Sequence, residues 1–131
     1  MKILTHLIVG VVFIIFMVAI GTQRVMTQDP VKVDPKYVKV LLENDRVRVL
    51  EFLLKPGEKE AVHSHPSCVV YFLSSFKTRF IYPAGDTTLV DRKAGEVFWR
   101  EPVTHAGENV GTTDAHGLVI EVKEPKKASK K

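Results

Sequence analysis

Between residues 37 and 122 the apolar positions recur with a period of two, in short runs parted by glycine, proline and small polar residues. YVKVLL (37–42) opens the series, and END closes it as a turn. In RVRVLEFLL (46–54), Val47, Val49 and Glu51 alternate with Arg48, Leu50 and Phe52, which marks a strand with at least one buried face. KPGE turns the chain at Gly57, and Val62 to His65 forms the next strand. VVYFL (69–73), KTRFIYP (77–83), TTLVD (87–91), VFW (97–99) and HGLVIEV (116–122) supply further strands, with AGD and KAGE as turns. VTH (103–105) leads into HAGENVG. Strands of about 4–8 residues, spaced by about 8–12 and parted by turn residues, predict an all-β sandwich or barrel. No helical periodicity of useful length follows residue 37, and residues 22–36, with Pro30 and Pro35, read as a linker.

The first 21 residues have a different pattern. ILTHLIVGVVFIIFMVAI (3–20) follows Lys2, contains no acid, lysine or arginine, and ends in Ala19-Ile20-Gly21. That is the layout of a signal peptide. The run is also long enough to stay as a membrane anchor. Either reading sends the rest of the chain out of the cytoplasm, as a periplasmic or secreted protein or as a barrel tethered outside the membrane. A buried helix of a cytosolic fold would carry a polar stripe, and this segment has none.

The length of 131 residues suits one domain. The net charge of +4 is misleading, because residues 123–131, KEPKKASKK, contribute all of it. With Lys2 also set aside, the body is at −1. A nearly neutral body argues against a nucleic-acid surface. The lysine-rich end reads as a solvated tail. Cys68 is the only cysteine, so no internal disulfide forms and a hydrophobic core must hold the fold. There is no G-x-G-x-x-G, Walker loop, G-x-S-x-G or Cys-x-x-Cys.

The candidate chemistry lies in His63, His65 and His105. Residues at i and i+2 of a strand share a face. A third imidazole from another strand completes one side of a metal ion, and three protein ligands leave a position open for water or substrate. Imidazole suits several transition metals.

At these positions the chain resembles the cupins, small jelly-roll barrels of the double-stranded β-helix type. Gly57, His63 and His65 match the first half of the first cupin motif, G-x5-H-x-H followed by a glutamate. Gly95, Pro102, His105 and Asn109 match the second, with a one-residue shift around the proline and the middle glycine absent. The resemblance covers residues 37–122. It implies a divalent metal (Fe, Mn, Zn or Ni) held by His63, His65 and His105, a small-molecule ligand, and a homodimer. The first-motif glutamate is missing: its place falls at Cys68, Val69 or Val70, depending on the direction of counting. Glu60 lies three positions before His63, which on a regular strand turns it to the other face.

Three neutral imidazoles leave a divalent ion its full charge, which favours an anionic ligand. Among cupins the thiol dioxygenases resemble this set, some with a cysteine where the glutamate would be. Non-haem iron dioxygenation is therefore one implied activity, metal-assisted isomerisation another, and binding without turnover a third. Cys68, Tyr71, Trp99 and Asn109 are the expected pocket-lining residues, with Asn109 fixing its loop through backbone bonds. For Tyr71 and Trp99, on apolar strands, core packing is the default and lining the barrel mouth is the functional alternative.

Overall fold

A computed structural model describes residues 28–125. The leader (residues 1–21) and most of the basic tail lie outside the described residues. Among the described residues no helix is long and apolar enough to cross a membrane.

One short helix, α1 (Pro30–Val33), precedes nine strands: β1 (Val38–Glu43), β2 (Val47–Leu54), β3 (His63–His65), β4 (Cys68–Phe72), β5 (Phe76–Ile81), β6 (Thr87–Arg92), β7 (Val97–Arg100), β8 (Val103–Asn109) and β9 (Ala115–Val122). They form two sheets, ordered β1-β2-β9-β4-β7 and β3-β8-β5-β6, the two layers of an all-β jelly roll. Every pairing is antiparallel.

The period of two now acquires an inside and an outside. Leu50, Val119, Val70 and Phe98 pair in register across the inner face of the five-stranded sheet. With Leu54, Phe72, Phe76 and Ala115 from the same layer and its neighbour, most of them fill the buried core. Phe52 and Phe72 flank Gly117, which is required there: a Cβ would sit 2.6 Å from the Phe52 ring and 2.8 Å from the Tyr71 carbonyl.

Residues 28–36, expected as linker, are docked on the barrel. Asp29 caps α1 by accepting from the Val31 N–H, Pro30 occupies the first turn and is buried, and both are helix-start signals. Asp29 also grips the Arg48 guanidinium through both carboxylate oxygens, at 2.9 and 3.1 Å. Asp34 accepts from the Ala61 N–H at 2.7 Å, and the Gln28 carbonyl accepts from the Ser64 N–H at 2.9 Å, so this segment braces the approach to β3. These partners are distant in sequence, which is why composition alone suggested a tether.

Candidate metal centre

His63 on β3 pairs directly with His105 on β8. Directly opposed residues in an antiparallel ladder project to the same face. His65, two positions on, joins them. The ring centroids lie 4.8 Å (His63–His65), 4.9 Å (His63–His105) and 5.6 Å (His65–His105) apart. All three side chains are buried, and one nitrogen from each falls within a 4.8 Å cluster. The expected set thus converges on the barrel interior.

Their outward nitrogens set the tautomers. His63 Nδ1 lies 2.9 Å from the Ala61 carbonyl and must donate to it. His65 Nδ1 lies 2.7 Å from a Glu121 carboxylate oxygen. A proton on Nδ1 leaves Nε2 of each ring with a free lone pair, and such outer bonds are what orient ligating histidines. His105 has no hydrogen-bond partner at either nitrogen, although both are buried. An orphaned polar atom at such a place needs an explanation, and an ion supplies one. Burial, with the neighbouring rings, pushes His63 down to about 4 and His105 to about 2, so both stay neutral and able to ligate at neutral pH. The donor set fits a divalent metal of the imidazole-binding kind.

The histidines open on a cavity of about 70 Å³. Its wall is largely aromatic and aliphatic, with Phe52, Phe72, Phe76, Phe80 and Phe98 prominent. The polar groups in it, besides the histidines, are Glu60, Cys68, Thr78, Arg100 and Asn109.

Glu60 overturns the expectation from strand parity. His63 pairs with His105, yet Lys59 bridges Glu108, so four steps on one strand answer three on the other. One extra residue of this kind is a bulge, and it reverses which face a side chain takes. Glu60 therefore lies level with Gly107, to which its N–H donates at 2.8 Å, and its side chain turns inward. Gly107 makes the room: a Cβ there would come within 2.6 Å of the Glu60 carboxylate. Burial, reinforced by Asp34, pushes Glu60 up to about 8, against a smaller opposing effect of the Gly107 N–H.

Tyr71 and Trp99 are corrections in the other direction. They stand on the outer face of their sheet, 37% and 53% exposed, and neither lines the cavity. Their inward neighbours Val70, Phe72, Phe98 and Arg100 take that role. Cys68 and Asn109 do line it. Cys68 is buried and its thiol is pushed up to about 11 by burial, so it is an unreactive wall residue. Asn109 belongs to β8, which runs beyond His105 to residue 109 instead of ending in a loop. Its side-chain amide donates to the Leu54 and Thr113 carbonyls, at 2.9 and 2.7 Å, and accepts from the Gly111 N–H. His116 faces outward and bonds Glu51, and Arg79 pairs with Glu108.

No protein-family model matches the sequence, and no curated protein does. Solved structures do. A cupin domain from Bordetella pertussis Tohama I superposes with a TM-score of 0.61 and 27% identity, over 66% of this chain and 92% of that one. This chain has the fold of a small single-domain cupin. An RmlC-like cupin from Methanocaldococcus jannaschii shares its double-stranded β-helix fold at a TM-score of 0.55, with 15% identity over 82% of this chain and 91% of that one. A double-stranded β-helix protein from Klebsiella pneumoniae does so at 0.54 and 22%, over 69% and 77%.

Three charged residues of this cupin were legible only by their parity. Arg48 shares the inner face with Leu50, Glu121 with Val119, and Arg100 with Phe98. A charge on the buried side of a strand is a signal, but only once the sheets show which side is buried. Glu121 matters most. It is buried, holds His65, and has Arg48 Nη1 at 3.6 Å. His65, Glu121, Arg48 and Asp29 thus form one chain of paired groups running outward from the site.

Proposed function

We propose that this cupin holds a divalent metal through His63, His65 and His105 and brings a small anionic molecule to it inside the barrel. The observation that carries this is the convergence of three buried imidazoles whose free nitrogens face one cavity. An ion held by these histidines would supply Lewis acidity toward the ligand, or oxygen chemistry if it were iron. The chain's own part is to hold His63 and His65 in one tautomer, to exclude water with a phenylalanine-rich wall, and to offer few competing anions. The absence of a first-motif glutamate, with Cys68 in its region, favours iron-dependent dioxygenation by resemblance. Isomerisation and binding without turnover are the alternatives.

The apolar stretch at residues 3–20 supports a place outside the cytoplasm. A lone cysteine that is buried and hard to ionise suits an oxidising compartment. For a homodimer, the face that supports the reading is the outside of the five-stranded sheet. There Leu42, Val49, Ile120, Val69 and Trp99 form a row in register, one from each strand.

Elemental analysis of the purified protein beside His105→Ala tests the central claim. Stoichiometric metal in the first and little in the second is expected; equally negligible metal in both refutes it. Oxygen uptake by the iron-loaded protein with candidate thiols and phenols separates dioxygenation from binding alone.

A further inference from the structure

Across the inner face of the five-stranded sheet, at the level of the histidines, Arg48, Glu121, Cys68 and Arg100 stand in one cross-strand row. Arg48 is answered by Glu121 and by Asp29. Arg100 is paired with no acid, although Glu60 shares its cavity. Among the described residues it has neither a hydrogen bond nor an ion pair. Its contacts are the rings of Phe80 and Phe98, whose centroids lie 4.8 and 5.3 Å from the guanidinium carbon. Phe80 in turn packs on the His105 ring at 5.0 Å, so the guanidinium is one aromatic layer from the histidines. Ring contacts use none of a guanidinium's five N–H donors.

We propose that Arg100 anchors a carboxylate, so that the ligand of this cavity is a small organic acid held between the guanidinium and the metal. This rests on the three-histidine reading of the site. A partly desolvated cation without a partner is unfavourable, and an anion from outside relieves it. The planar fork of arginine matches a carboxylate through two parallel bonds. Arg92 strengthens the demand. It lies over Phe98 at 4.8 Å and over Phe72 at 5.3 Å, again without an acid partner, so two positive groups share one ring. Glu60 is the one carboxyl group in the cavity wall with Arg100, and it makes no ion pair with it. The Cys68 thiol is neutral, and burial pushes Glu60 up to about 8. A divalent ion adds two more positive charges, and the lining stays positive even with Glu60 ionised. A cavity of about 70 Å³ suits a small acid.

The test uses the zinc-loaded full chain, with glycolate, its uncharged analogue glycolamide, and inorganic phosphate titrated by calorimetry. Glycolate is expected to bind at least about tenfold tighter than glycolamide, the scale of one charge-assisted hydrogen bond. Because the zinc itself favours an anion, Arg100→Gln should reduce the preference several-fold with zinc content unchanged, and Arg100→Lys, which keeps the charge, should restore part of the loss. Equal affinities in the wild type, a preference undiminished by Arg100→Gln, or phosphate binding above glycolate would each overturn the proposal. Failure to hold zinc defeats the metal reading instead. The same titration on the metal-free protein then decides the role of Arg100 by itself.

Discussion

Glu121→Gln is the sharpest single perturbation of the metal centre. Glutamine keeps the volume and an oxygen acceptor toward His65 Nδ1, 2.7 Å away, and removes only the charge. Both side chains are at most 7% exposed, so solvent does not screen what is lost. Loss of an outer partner of a metal-ligating histidine typically lowers metal affinity by about 10–100-fold, which is about 1.4–2.7 kcal/mol. The fold should suffer less. Arg48 loses a partner at 3.6 Å but keeps both Asp29 contacts, so the metal-free protein should weaken by about 1 kcal/mol. Zinc affinity measured by competition with a chromophoric chelator, beside urea unfolding of the metal-free protein, reads the two effects apart. Wild-type zinc affinity in a folded Glu121→Gln protein would refute the claim that Glu121 presents His65 to the ion.

Other outcomes follow from the same geometry. In metal-free protein, His63 and His105 lie below their ordinary 6.5 in the fold, at about 4 and about 2, so the unfolded chain binds more protons and stability falls as pH drops below about 6.5. Glu60, raised from 4.5 to about 8, acts oppositely: the fold binds its proton more tightly, so stability declines as pH climbs from 4.5 to 8. Two histidines outweigh one glutamate in the shared window, so chemical denaturation should show a maximum near pH 6.5 and Glu60→Gln should flatten the alkaline side. Asn109→Ala removes three hydrogen bonds at a fully buried position and should lower unfolding free energy by about 2–4 kcal/mol in urea. Gly107→Ala drives a methyl to 2.6 Å from Glu60 and should destabilise by about 1–3 kcal/mol, with Glu60→Ala restoring part of it in the double variant. Trp99→Glu should leave zinc content unchanged and shift a dimer to monomer in light scattering; loss of zinc would put Trp99 back at the site.

The sequence by itself determined the strands, because alternation of apolar and polar side chains is a local property and β2 displays it plainly. It determined the histidine set as well, since the i, i+2 spacing of His63 and His65 forces one face on any regular strand. It did not determine which face is the inside where both are apolar. CVVYF and VFWR alternate between two greasy sides, so Tyr71 and Trp99 were as eligible as Phe72 and Arg100 until the sheets closed. Nor did it reveal the extra residue between Lys59 and His63, because a bulge is defined by the partner strand and β8 lies more than forty residues downstream. That single slip in register carries Glu60 into the cavity. Pairing across the barrel likewise gave His65 its carboxylate and left Arg100 without one. Parity is written along the chain, whereas register and closure are long-range choices made by packing the whole barrel.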